Sequence, residues 1–364
     1  MALNCGIVGL TNTGKTTIYN CISNKKAESS NYAFSASKSN IGIVAVNDPR
    51  LYEIDQFIHA EKIIPATVEL VDIPGLTKGS SQGEGVGNKF LQDIQKSNAI
   101  IHVLRCFDDE NLPHVEGSVD PVRDKEIVDL ELQVRDLEIV DRRIEKTRKI
   151  AVHDKAAKKE LEVLEKLKDH LENMYNARDL QSSPEEKEII RELFLLTDKP
   201  VLYVCNVDDD AATSGNHYTE KVKAAVQKED TEVLIIAGQL EAEISELEDE
   251  HDRKEFLEDA GLKEPGVNKL TRSAYKLLNL QSFFTAGPKE VRAWTISKGM
   301  TAQQAAGVIH SDMERGFIRA EVMRYEDFVT LGSEQEVKDA GKFRLEGKHY
   351  IVEEGDIMHI RFNV

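Results

Sequence analysis

GLTNTGKTT (residues 9–17) follows the apolar run LNCGIV and precedes IYNCISN. The stretch fits G-x-x-x-x-G-K-[ST], with Gly9, Gly14, Lys15 and Thr16 in the fixed positions. Glycines let successive backbone N–H groups curl round phosphate oxygens, Lys15 reaches the β and γ oxygens, and Thr16 offers a hydroxyl to Mg²⁺ at a helix N-terminus. The motif requires a strand before the turn and a helix after it, and both patterns are present. Asn12, Thr13, Gly14, Lys15, Thr16 and Thr17 are therefore read as a phosphate-binding loop.

Outward from that loop, short β-branched runs recur: CGIVGL, IGIVAV, TVELVDI, AIIHVL, VLYVCNV and EVLIIA. Such runs suit strands buried on both faces, separated by helices or loops. The alternation predicts an α/β fold, a doubly wound and mostly parallel P-loop NTPase sheet with ligands at the C-terminal strand ends. Between Pro121 and Asp179 no strand pattern occurs. Apolar residues recur instead at Ile127, Leu130, Val134, Leu137, Val140 and Ile144, then at Leu161, Leu164, Leu167, Leu171 and Met174. These spacings predict two long antiparallel helices, a coiled-coil arm inserted in the α/β domain. Its turn is basic: Arg142, Arg143, Lys146, Arg148, Lys149, Lys155, Lys158 and Lys159 outnumber Glu145 and Asp154. From QSFFTAG onward the pattern becomes strand EVRAWTI, helix TAQQAAGVIH, strand FIRAEVM, helix-like YEDFVTL, then KHYIV and DIMHIRFNV, a small α+β domain. The expected boundaries are 1–120 with 198–280 for the NTPase domain, 121–197 for the arm and 281–364 for the last domain.

Two more motifs narrow the class. VELVDIPG closes a strand with Asp72 and Gly75 in D-x-x-G spacing, where the carboxylate joins a magnesium shell through water and the Gly75 N–H senses a γ-phosphate. CNVDDD places Asn206 and Asp209 in N-x-x-D spacing, where a base-recognition loop belongs. Val207 stands there in place of the lysine whose stem usually packs on a guanine ring. In this order the three motifs point to a switch NTPase related to translation factors. A small-molecule kinase ranks last, since neither an acceptor-site cluster nor a lid is recognisable.

Composition limits the partners. The chain of 364 residues carries 65 acidic and 47 basic side chains, a formal charge of -18, which argues against general nucleic-acid affinity while leaving room for a local basic patch. No apolar stretch approaches the roughly 18 uncharged residues of a membrane span, so no membrane partner is expected. The N-terminus lacks a signal-peptide layout and the four cysteines lack metal or C-x-x-C spacing. A cytoplasmic location and reduced, buried thiols are expected.

NCGIVGLTNTGKTTIYN, VELVDIPGL, GEGVGNKFL, HVLRCF, GFIRAEVMRYEDF and DIMHIRFNV resemble the YchF/Obg-like ATPase family nearly end to end, including the arm and a C-terminal domain similar to the β-grasp TGS type. The resemblance implies a cytosolic, monomeric ATPase that uses Mg²⁺, with K⁺ as a second candidate cation. It further implies association with ribosomes in translation or stress responses. The basic arm turn is expected to meet ribosomal RNA phosphates, because such contacts are electrostatic and sequence-independent, with the TGS-like domain sharing the contact. The chain departs from the family pattern at Ala36, where a threonine usually completes the magnesium shell. It departs again at Asp209, where the family tends to carry glutamate. ATP is expected to bind at least as tightly as GTP, with Asn206 and Val207 lining the base pocket; Asp209 alone would favour GTP.

Signalling GTPases usually place a glutamine after D-x-x-G to orient the attacking water, and this chain has Leu76. A polar group must enter from elsewhere or hydrolysis is very slow. His114, in the loop CFDDENLPHVEG, leaves a strand at its phosphate-side end and is the expected catalytic residue; the family's proposed catalytic histidine falls there. His102, inside the strand, reads as a packed histidine. Two alternatives remain beside the ATPase: a nucleotide-gated ribosome- or RNA-binding module with incidental hydrolysis, and a GTP-preferring GTPase.

Overall fold

The computed structural model describes residues 3–24, 40–75, 86–229 and 231–363. Its strands are β1 (Asn4–Val8), β2 (Asn40–Ala45), β3 (Ile63–Ile64), β4 (Thr67–Asp72), β5 (Ala99–Arg105), β6 (Val201–Asn206), β7 (Val233–Ile236), β8 (Leu280–Ala286), β9 (Val291–Ser297), β10 (Phe317–Arg324), β11 (Arg344–Glu346) and β12 (Asp356–Phe362). They form two sheets, ordered β2-β4-β1-β5-β6-β7 and β11-β10-β12-β8-β9-β3. The described residues split into two compact units. One contains Glu69–Leu270 with the chain's first segment, and the other contains Ile43–Val68 and Thr271–Val364.

In the first unit β1 pairs in parallel with β4 and β5, β5 with β6, and β6 with β7. Every residue of β5 and β6 is buried, as their unbroken apolar runs require. β2 is different: it lies at the sheet edge, and Ile41 and Ile43 are about half exposed, so its apolar run does not mark a strand covered on both faces. Helix α1 (Lys15–Asn24) follows β1 through the glycine loop. Among the described residues no helix is long and apolar enough to cross a membrane, and all four cysteines are buried thiols outside any disulfide.

In the second unit, helix α2 (Pro49–Ile58) begins with Asp48 capping the Arg50 N–H and Pro49 at its first turn. Ile63 and Ile64 extend the second sheet by pairing with Val291 and Arg292. Arg50 pairs with both Asp48 and Glu354. These contacts place residues 43–68 with the C-terminal segment, whereas the sequence boundaries kept them in the NTPase part. Nothing in the linear pattern marks a segment whose partners lie over 200 residues away. The segment KHYIV, read as a strand, contributes only the isolated bridge Thr301↔Ile351.

Helices α3 (Val86–Lys96), α4 (Pro121–Ala151) and α5 (Lys155–Glu172) belong to the first unit. α4 spans 31 residues and joins α5 through a turn in which Asp154 caps the new helix. Val140, Ile144, Leu164, Leu167 and Leu171 pack together there; each fully buried side chain is worth about 2 kcal/mol of transfer free energy. Arg143–Glu160, Arg148–Glu165 and Lys168–Asp141 ion pairs cross the helix pair. The expected apolar phase fails near the start of α4. Leu130 is exposed, and the inward face carries Asp124, Val128, Leu132 and Asp136, because charged groups with buried partners share it. Met174 lies beyond the end of α5 and is exposed with φ of 66°.

Candidate functional site

The loop joining β1 to α1 is bent by its glycines. Gly14 has φ of +88°, and a Cβ there would come 2.1 Å from Asn206 Nδ2, so only glycine fits. Asn12 adopts φ of 64°, tolerable for asparagine, and points its amide outward, donating to the Pro113 carbonyl at 3.2 Å. Thr13 Oγ1 donates to the Leu10 carbonyl at 3.1 Å and the Lys15 ammonium to the same oxygen at 2.5 Å. Burial pushes the Lys15 pKa down to about 8, with Asp72 opposing the shift. Thr16 and Thr17 are exposed at the start of α1.

Asp72, the last residue of β4, brings Oδ2 to 3.5 Å from Thr16 Oγ1. Gly75 lies beside this pair: a Cβ would stand 3.2 Å from both Lys15 Nζ and Thr11 Oγ1, so a side chain would crowd the Lys15 amine. Two oxygen donors of hard character converge here, the chemistry Mg²⁺ takes when phosphates and water complete its shell. Ala36 and Leu76 lie outside the described residues.

At the other end of the loop Asn206 terminates β6 at 4% exposure. Its Nδ2 donates to the Thr13 carbonyl at 2.9 Å, and its Oδ1 accepts from the Gly238 N–H at 2.9 Å. Gly238 opens α8 (Gly238–Glu246) directly after β7; α6 (Pro184–Arg191) and α7 (His217–Ala225) precede it. Val207, expected to line a base pocket, is 3% exposed and joins the apolar core, its N–H bonded to the Ile236 carbonyl. It offers a base little surface. Asp209 is exposed at the start of a short 3₁₀ turn. Partial desolvation and the nearby Glu243 raise its pKa.

His114 belongs to the segment linking β5 to α4. Its side chain is 3% exposed, unlike the solvated loop position the surrounding acidic sequence suggests. Nδ1 accepts from the Glu116 N–H at 3.1 Å, and Nε2 lies 2.8 Å from Asp124 Oδ2. Because a backbone N–H occupies Nδ1, Nε2 carries the proton and donates it to the carboxylate. Arg105, 1% exposed, organises the segment's first half by donating to the carbonyls of Phe107, Asp109 and Leu112 at 3.1, 3.3 and 2.8 Å. His102 is buried against Tyr203, and burial drives its pKa down to about 3, a packed neutral ring.

The structure thus gathers Asn12 to Thr17, Asp72, Gly75 and Asn206 round one loop. It ties His114's segment to that loop through Asn12, and it turns Val207 away. Sequence reading missed Gly238, Arg105 and Asp124. Gly238 alone carried a usable signal, a glycine directly after the apolar strand EVLIIA. The other two are charges whose burial is visible only in three dimensions.

Residues 4–207 match a family profile described as a 50S ribosome-binding GTPase, and residues 280–363 match a C-terminal YchF-GTPase profile described as a protein of unknown function. The chain is 47% identical over 367 residues to the "Ribosome-binding ATPase YchF" of Bacillus subtilis (strain 168), covering all of both chains. It is 48% identical over 365 residues to the protein of that name from Escherichia coli O157:H7, again over the whole of both. A solved structure described as the Schizosaccharomyces pombe YchF GTPase superposes with a TM-score of 0.88 at 36% identity, covering 99% of this chain and 97% of that one.

Proposed function

The chain belongs to the YchF family, and from that membership we propose that it is a cytoplasmic, monomeric, ribosome-associated switch that binds and slowly hydrolyses ATP. The observation that carries the reading is the hydrogen-bonded chain Thr13–Asn206–Gly238 at the glycine loop, with Thr16 and Asp72 facing one another beside it. Lys15, released from the Leu10 carbonyl, swings to the β and γ oxygens and becomes firmly protonated on meeting them. Thr16 and Asp72 would hold Mg²⁺, which when bound neutralises charge on those oxygens. K⁺ is the second cation of the proposal, tested by comparing turnover in potassium and sodium salts.

ATP is preferred over GTP in this reading. Both polar atoms of the Asn206 amide are spent on the protein, so neither is left to read a guanine edge, and the full-length relatives carry the name ATPase. A GTP preference is the second reading, favoured by the retained N-x-x-D spacing. His114 is the residue proposed to orient the attacking water once it leaves Asp124. Ribosomal RNA phosphates are proposed to meet the arm turn, where Lys146, Lys149, Lys155, Lys158 and Lys159 are exposed and make no ion pair with a described residue. The C-terminal domain shares that contact. Phosphate release from ATP and from GTP, with and without ribosomes, tests the whole. Slow release, preferring ATP and faster with ribosomes, supports it, whereas release confined to GTP or indifferent to ribosomes refutes it.

A further inference from the structure

The histidine proposed to act on the attacking water cannot do so where it stands, since both ring nitrogens are engaged. We propose that Asp124 is a positioning residue that stores His114 in a withdrawn orientation, and that breaking the Nε2–Asp124 bond is a required step before each hydrolysis. The proposal rests on the reading of His114 given above and adds what restrains it.

Three observations locate the moving part. Asp124 is fixed. It sits in the first turn of α4, whose adjacent Lys125 pairs with Asp129 at 2.8 Å and with Glu229 at 2.9 Å, and whose Val128 and Leu132 are in the core. Arg123 also grips Asp124 Oδ1 at 3.0 Å. The segment's first half is equally fixed by Arg105. What remains is residues 113–117, held to Asp124 through His114 and to the nucleotide loop through the Asn12–Pro113 bond at 3.2 Å; beyond it Ser118 is pinned by Arg123, which donates to its hydroxyl at 3.1 Å and its carbonyl at 2.6 Å. That short piece can swing without unfolding either flank, and its link to Asn12 connects it with the phosphate site.

The cost of release predicts slow intrinsic turnover. A carboxylate with 1% side-chain exposure loses a charge-assisted hydrogen bond when His114 departs, keeping only Arg123. Observed turnover then scales with the population of the released state, and a partner that captures residues 113–117 raises it.

Asp124→Asn keeps the shape and an acceptor oxygen while removing the charge. In the purified full chain, kcat for ATP without ribosomes should rise about three- to tenfold at unchanged KM, as a neutral hydrogen bond replaces a charged one of about twice its strength. Stimulation by ribosomes should shrink by the same factor, because the stimulated rate is already unrestrained. His114→Ala should be inactive in either background. Wild-type turnover in His114→Ala would remove the reading beneath the proposal. An inactive His114→Ala beside a folded Asp124→Asn with unchanged or lower kcat would overturn the storage role alone. Histidine ¹⁵N spectra of the wild type give a check that no substitution can spoil. His114 should show a protonated, hydrogen-bonded Nε2 without nucleotide and lose that signature with ADP–aluminium fluoride; its persistence there would also overturn the proposal.

Discussion

Asn206 Nδ2 donates to the Thr13 carbonyl at 2.9 Å, joining the end of β6 to the middle of the phosphate loop. Since Oδ1 of the same amide accepts from Gly238, this side chain spans two loops and is not directed at a base. Asn206→Ala should therefore weaken ATP and GTP alike. Leaving a buried N–H and a buried carbonyl without partners costs about 1–3 kcal/mol each, so affinity should fall by roughly thirtyfold or more. Titration with labelled nucleotides checks this; a loss confined to one nucleotide would mean that the amide reads the base.

Lys15 sets a pH limit on nucleotide binding. Its pKa in the free protein is lowered to about 8 by burial, and phosphate oxygens will raise it. Binding above pH 8 therefore takes up a proton, and the dissociation constant should climb about tenfold per pH unit beyond that point while staying flat below it. For folding the sign is opposite. The unfolded chain binds more protons between pH 8 and the ordinary lysine range, so the free protein gains stability as pH rises through that window. Calorimetric titrations in buffers of different ionisation enthalpy would count the proton.

The arm turn separates structural from available charge. Arg143 and Arg148 are committed to Glu160 and Glu165, while Lys146, Lys149 and Lys158 are exposed and unpaired among the described residues. Reversing the three lysines should weaken ribosome co-sedimentation and lower its salt slope by about one unit per lost phosphate contact. Arg143→Glu should instead lower the melting temperature by disturbing the helix pair. Unaltered co-sedimentation in the triple variant would exclude the turn as the contact.

Asp136 anchors the arm's return to the core. Its carboxylate accepts from the Leu196 and Thr197 N–H groups and the Thr197 hydroxyl at 2.7–2.8 Å, within a fully buried setting that raises its pKa to about 6. Asp136→Ala should destabilise by about 3 kcal/mol through orphaned donors, measurable by denaturant unfolding. A change below about 0.5 kcal/mol, the size of an ordinary surface substitution, would contradict that role.

Much of this was legible in the sequence, for physical reasons. β5 and β6 are apolar on both faces, so their runs read directly as buried parallel strands, and the glycine spacing of residues 9–17 leaves few backbone paths other than a phosphate loop. The arm was legible as helices, but its phase was not, since Asp124, Asp129 and Asp136 occupy inward positions where a hydropathy pattern expects leucine. Val207 misled because N-x-x-D spacing says nothing about which way the second side chain turns. His114 was placed in the right segment, yet its surroundings of Asp108, Asp109 and Glu110 suggested solvent. The carboxylate that buries it comes from the next helix.

The most direct test of the account is steady-state phosphate release from ATP by the wild-type chain and by His114→Ala, each alone and with ribosomes, with ATP affinity measured in parallel. The account predicts slow wild-type release accelerated by ribosomes, and a variant that binds ATP normally but has lost most turnover under both conditions, the mark of an interaction made chiefly in the transition state. A variant that matches wild-type turnover with ribosomes present would contradict it.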